Sequence, residues 1–350
     1  MRAWLAGVAA SLIGCVPASP PPPAAPPPVE TAPPAPAPEV VPVASAAPAA
    51  EPPPAPPEPP GPPFPPPAFS PPHDRTAQAG DGVWSSLVPG AGKDAAPLLL
   101  RTVVHPDPVK HQVYAVVVAI DLRRVGVRLV AGTKEPTSTT VPADRRPGLI
   151  PQADQADLVA VFNGGFMAHH GAWGMKVGDD VLLPPQPDGC TVALLRDGGV
   201  RIASYPVIEP LLPEVAAYRQ TPPCLVEARA VNAALLGSEK PRRWGMSETG
   251  GLDIRRSALG IAEGGRTLLY ALGEWITPRQ MAEVMLAAGA VDAAELDVNW
   301  SYTRFFLYGP PAKGAEPEVV ATLVPKLKHA PRQYVGKASE RDFFYLVRRR

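Results

Sequence analysis

Leu158 to Asp179 read LVAVFNGGFMAHHGAWGMKVGD, and the order of these residues decides how the rest of the chain is read. The apolar run Leu158 to Phe162 predicts a buried strand. It stops at Asn163-Gly164-Gly165-Phe166, where two glycines permit a sharp turn and a close approach of backbone to a ligand. Asn163 then projects from a rigid strand end into a loop. The plainer alternative is a turn asparagine bonded to its own backbone.

Working outward, strands are predicted at Leu98–Val104, Val113–Leu122 and Val125–Val130, which are rich in Val and Ile and separated by polar turns. Downstream, Gly174–Val177, Val181–Leu183, Thr191–Leu195 and Val200–Ser204 read as short strands, the last two joined at Arg196-Asp197-Gly198-Gly199. Pro206–Pro223 reads as irregular with one helical turn, and Leu225–Leu236 as an imperfect strand. Arg256–Ile261 and Thr267–Leu272 flank the turn Glu263-Gly264-Gly265-Arg266. Thr277-Pro278-Arg279-Gln280 has the form of a helix start, with Met281, Val284, Met285 and Ala288 on one face and Gly289 as terminator. Ala293–Val298, Tyr302–Leu307 and Phe343–Val347 complete the strands. The fold class is α+β, a single strand-rich domain with few helices.

The first residues are of another kind. Arg2, a short apolar run from Trp4 to Ile13, and then Leu12-Ile13-Gly14-Cys15 resemble the lipobox of bacterial lipoproteins, with Cys15 as the lipidated residue. The apolar run is too short to span a bilayer. A secretory signal with an incidental cysteine is the alternative. Residues 16–72 hold 28 of the 51 prolines, four glutamates and no lysine or arginine. Proline lacks the backbone donor and fixes φ, so this segment predicts a disordered polyproline-type stalk reaching at most roughly 180 Å. The assignment is 1–15 signal, 16–97 linker and lead-in, and 98–350 folded domain.

Charge excludes one function class. The chain has 33 basic and 33 acidic residues, and its one locally basic triplet is Arg348-Arg349-Arg350 at the end. That balance gives no electrostatic case for nucleic acid. With Cys15 lipidated, Cys190 and Cys224 remain for a disulfide in an oxidising compartment, or stay as two thiols. No zinc or EF-hand spacing and no dinucleotide fingerprint occurs, so no metal or cofactor is implied.

The N-G-G-F turn, the Gly174-Met175-Lys176-Val177-Gly178 segment, the Arg256-Ser257-Ala258-Leu259-Gly260 strand and the strand end Leu296-Asp297, in that order, resemble the phosphodiester glycosidase family. This is the family of the N-acetylglucosamine-1-phosphodiester alpha-N-acetylglucosaminidase (uncovering enzyme) domain. The resemblance covers residues 100–310 and implies hydrolysis of a sugar-1-phosphate diester. It carries catalytic roles to Asn163, Arg256 and Asp297, with Arg256 as the phosphate ligand and Arg255 its competitor; the alternative for Arg256 is a structural salt bridge. Where that family continues with glycines after the aspartate, this chain has Val298-Asn299-Trp300, so either the substrate or the activity differs. Gly164, Gly165, His169 or His170, Lys176, Asn299 and Trp300 are the candidate substrate contacts, and Glu274-Trp275 is a further candidate wall. An imidazole suits proton transfer near neutral pH, although neighbouring histidines on extended backbone point apart and make a poor metal pair.

The expectation is a monomeric, lipid-anchored protein of the bacterial cell envelope (periplasm or outer-membrane surface), acting on a glycan or sugar phosphodiester. The rival expectation is a carbohydrate- or envelope-binding lipoprotein that kept the fold without the chemistry.

Overall fold

The computed structural model describes residues 64–87, 97–237, 241–311 and 314–350. Cys15 and most of the stalk lie outside these residues. The described chain forms three antiparallel sheets of eight, five and five strands, with few helices.

The largest sheet has at its centre the strands Tyr114–Asp121, Thr267–Ile276, Ile254–Ala262 and Ala290–Val298. These strands are buried on both faces, which is why they read as continuous apolar runs rather than alternating ones. Along the first of them Val116, Val118 and Ile120 enter the core shared with the other sheets. Ala115, Val117 and Ala119 point to the opposite face, beneath the helix Pro278–Ala287.

That helix starts as its sequence predicts. The Gln280 N–H donates to Thr277 Oγ1 at 3.2 Å, and Gln280 Oε1 accepts from the Thr277 N–H at 2.9 Å. This reciprocal pair satisfies two donors that a helix start leaves free. Met281, Val284 and Met285 are buried against the sheet. A β-carbon at Gly260 would sit 2.6 Å from Met285 Cε, so a glycine there lets the helix close onto the strand.

Two smaller sheets flank the shared core. One places Leu158–Asn163 between Phe305–Tyr308 and Phe343–Arg348. The other runs through Met175–Val177, Val215–Thr221 and Cys190–Leu195. Its central strand Val215–Thr221 falls in the stretch read as irregular. Pro210 and Pro213 upstream form a 3₁₀ turn, and the strand behind them carries Arg219, Gln220 and Thr221 fully buried, a polar pattern that hides its identity. Leu225–Leu236 resolves into Val226–Glu227, Ala230–Val231 and the helical turn Ala233–Leu236 rather than one strand. The lead-in is part of the folded unit over residues 64–87: Phe64, Phe69 and Trp84 pack on the helix-side core, and Ser85–Ser86 pairs with the strand Leu99–Val104.

Cys190 and Cys224 form a disulfide with Cα atoms 4.7 Å apart, closing a separation of 34 residues. The bond points to an oxidising, extracytoplasmic compartment. Changing both to serine is expected to lower unfolding free energy by about 3–4 kcal/mol on the chain-entropy account, read from urea denaturation under non-reducing conditions.

Candidate functional site

The end of Leu158–Asn163, the end of Ala290–Val298 and the start of Phe343–Arg348 meet at one point. The Asp297 N–H donates to the Gly164 carbonyl at 2.9 Å, and the Gly164 N–H to the Asp342 carbonyl at 3.0 Å. Asp342 Oδ2 accepts from the Gly165 N–H and from Arg219 Nε, each at 2.9 Å. Arg219 and Asp342 are both fully buried. The glycines are needed for this packing. A β-carbon at Gly164 would lie 2.0 Å from Asp342 Oδ2, and one at Gly165 would lie 2.8 Å from the Arg219 guanidinium. The N-G-G turn therefore closes around a buried ion pair, and its backbone donors face Asp342 rather than a ligand.

Asn163 is buried and fully engaged. Its Nδ2 donates to Ser257 Oγ at 2.9 Å and to the Gly164 carbonyl at 3.1 Å, while Oδ1 accepts from Tyr270 Oη at 3.0 Å and the Arg304 N–H at 3.1 Å. It pins two sheets together beneath the site. Arg256 is 0% exposed and spends all five donors internally. Nε reaches the Ile276 carbonyl, Nη1 the Trp244 carbonyl and Glu295, and Nη2 the carbonyls of Gly245 and Leu252. No donor is left for a phosphate, because this arginine satisfies loop carbonyls and the buried carboxylate of Glu295.

Asp297 is placed differently. It lines two cavities at once, together with Met167, Tyr302 and Arg341. One, of about 620 Å³, is walled by Phe166, Trp173, Met246 and Val298, with His170 and Arg243 also lining it. The other, of about 720 Å³, is lined by Lys134, Arg304, Lys328 and Lys337, with Glu135, Glu340 and Asp342 among them. Burial pushes the Asp297 carboxyl up to about 7, against the opposing pull of Arg341 and of the Val298 N–H that donates to Oδ1 at 2.9 Å.

Arg341, which the sequence reading overlooked, donates through Nη2 to Asp297 Oδ2 and to the Gly165 carbonyl. Its guanidinium lies 4.2 Å over the Tyr302 ring. Nε and Nη1 are buried without a hydrogen-bond partner, and the residue lines both cavities. Arg341 and Asp342 follow Ser339-Glu340 and immediately precede the apolar run from Phe343. Charged residues at the mouth of a buried strand were the available signal.

The remaining candidates divide. His170 lines the aromatic cavity, and burial, His169 and Arg341 together lower its pKa. His169 is exposed beside it, the two rings 4.0 Å apart on a turn rather than on extended backbone. Lys176 is remote from both cavities and donates to the Val215 carbonyl at 3.4 Å. Asn299 takes the left-handed φ of +78° that a glycine would otherwise supply, so the loop still turns sharply without glycine. Val298 is drawn in against Phe166 and Trp173. Trp300 leaves the cleft for a neighbouring cavity shared with Trp275. Among the described residues no group of three or more His, Cys, Asp or Glu is placed to hold a metal ion.

No family model and no curated protein matches the chain. Among solved structures, it is similar to the zebrafish N-acetylglucosamine-1-phosphodiester alpha-N-acetylglucosaminidase catalytic domain auto-inhibited by its pro-peptide. The identity is 14% and the TM-score 0.44, over 74% of this chain and 86% of that one. A hypothetical protein from Synechocystis is 11% identical with a TM-score of 0.42, over 72% of this chain and 62% of that one. A protein from Burkholderia pseudomallei described as exported is 13% identical with a TM-score of 0.32, over 67% and 74%. The strand-rich fold resembles these domains at low identity.

Proposed function

We propose that this chain hydrolyses a glycosidic phosphodiester, with Asp297 as general base and Arg341 as the ligand of the phosphate. The observation that carries the reading is the position of Asp297 between a cavity with an aromatic and apolar wall at Phe166, Trp173, Met246 and Val298 and one where Arg304, Lys328 and Lys337 gather. A pyranose suits the first and a phosphate the second, which sets the bond between them beside the carboxyl. A phosphomonoester leaves readily once guanidinium and ammonium groups meet its charge, so the harder task is activating water. A carboxyl with a pKa near 7 fits that task at neutral pH. Water oxygen bonds to the anomeric carbon as Asp297 accepts its proton. The carbon–oxygen bond to phosphate breaks with its electron pair going to the phosphomonoester, and a reducing sugar is released.

Arg341 thus takes the role that the sequence resemblance carried to Arg256. The substrate is a glycan or sugar phosphodiester of the envelope, and the protein acts as a monomer tethered through lipid at Cys15. The test is a panel of chromogenic sugar-1-phosphodiesters incubated with the purified chain. Turnover that rises with pH through about 7 is the expected result. Absence of turnover across the panel would leave the binding reading, which the Asp297–Arg341 ion pair favours because it neutralises the carboxylate the reaction needs.

A further inference from the structure

A cavity of about 830 Å³, separate from the aromatic cavity at Asp297, is lined by two tryptophans that the reaction does not use. Trp275 and Trp300 are each 53% exposed, an unusual position for the largest apolar side chain. Their rings meet edge to face, centroids 5.9 Å apart and planes at 65°, forming an aromatic corner.

Both are held outward by the backbone. Trp275 sits in a bulge where Gly273–Ile276 faces the shorter step Ile254–Arg256 on the neighbouring strand. Its φ is +55°, a left-handed conformation that a bulky residue adopts only under constraint. Bulges of this kind turn a side chain away from the sheet. Trp300 follows Asn299, itself at φ +78°, and Arg255 lies 3.9 Å over its ring, fixing the indole plane.

Beneath the corner Arg255 and Glu274 form an ion pair at 2.5 Å, with side chains only 4% and 7% exposed. Arg255 Nε and Glu274 Oε2 have no hydrogen-bond partner, an unusual state for buried polar atoms. Arg304, Lys326 and Lys328 also line the cavity, so cations outnumber the single carboxylate of Glu274.

We infer that this cavity is a second saccharide-binding site, taking a pyranose with an anionic substituent. The sugar's apolar face stacks in the Trp275–Trp300 corner, a hydroxyl reaches Glu274, and the anion meets Lys326, Lys328 and Arg304. Arg304 and Lys328 also line the cationic cavity beside Asp297, so one extended anionic glycan fits along both. The site stands whether or not Asp297 turns over a substrate.

The test is titration of the full chain with trigalacturonate, glucose 1-phosphate and neutral maltotriose, followed by tryptophan fluorescence and calorimetry. At least one anionic probe is expected to bind more tightly than maltotriose. Trp275→Ala and Trp300→Ala should each weaken that binding about tenfold or more. Both indoles are half exposed, so thermal melts should show the variants folded. Neither tryptophan lines the cavities at Asp297, so loss of binding in these variants separates this site from the catalytic reading. Failure of both anionic probes to bind, preference for maltotriose, or binding indifferent to both tryptophan substitutions overturns the proposal.

Discussion

Asp297→Asn is expected to lower kcat by ~10²–10⁴-fold on whichever phosphodiester the wild-type chain turns over, the usual cost of losing an acid–base carboxylate. The substitution keeps the shape of the side chain and an oxygen for the Val298 N–H. What it removes is the proton acceptor and the charge that pairs with Arg341. The rise in rate through about pH 7 should vanish with it, because that limb belongs to the Asp297 carboxyl. Stability gives an independent reading of the same group. Between its ordinary 3.8 and about 7, the folded carboxyl keeps a proton that the unfolded chain has released. Its contribution is therefore complete below the lower value and lost as pH rises through the upper one. In the variant this part of the pH dependence should disappear, as seen by thermal melts at a series of pH values. Wild-type turnover in a folded variant would take Asp297 out of the mechanism.

Arg256→Met should cost about 3–5 kcal/mol of stability, the range found when one member of a buried ion pair is removed. The loss has two parts: Glu295 is left as an uncompensated buried carboxylate, and the carbonyls of Trp244, Gly245, Leu252 and Ile276 lose their shared donor. Removing the carboxylate as well, in Arg256→Met with Glu295→Leu, should restore part of the stability because no charge is then stranded. Chemical denaturation of both variants gives the comparison. A phosphate-binding arginine would behave in the opposite way, with near-normal stability and weakened substrate affinity. That outcome would return Arg256 to the site.

The contrast between these two residues shows how far the sequence could be read. Strand periodicity, glycine turns and the Thr277 cap are local signals, and most strands and the helix followed from them. The partners of a polar residue are not local. Arg256 and Asp297 both stand on apolar strands, and nothing in their neighbours distinguishes the one enclosed by carbonyls from the one that opens on two cavities. Arg341 lies just ahead of the strand that enters the sheet beside Leu158–Asn163, 178 positions further along than Asn163, and only the fold brings it to Asp297. Val215–Thr221 is hidden because its buried residues include Arg219 and Gln220, whose partners at Phe166, Trp173 and Gln186 are distant in sequence. The glycines missing after Asp297 suggest an altered loop, yet Asn299 at a φ of +78° still turns the chain sharply there.

The clamp on Asn163 has a consequence for the chemical lifetime of the protein. An asparagine followed by glycine is the pairing most given to spontaneous deamidation, in which the glycine nitrogen attacks the side-chain carbonyl and closes a succinimide ring. Here the Gly164 N–H is committed to the Asp342 carbonyl, and both ends of the Asn163 amide are held by neighbours. The nitrogen cannot reach the carbonyl without breaking the junction of two sheets. A sequence that would age quickly in a loop is preserved by its place in the core, a useful property for a protein outside the reach of cytoplasmic repair.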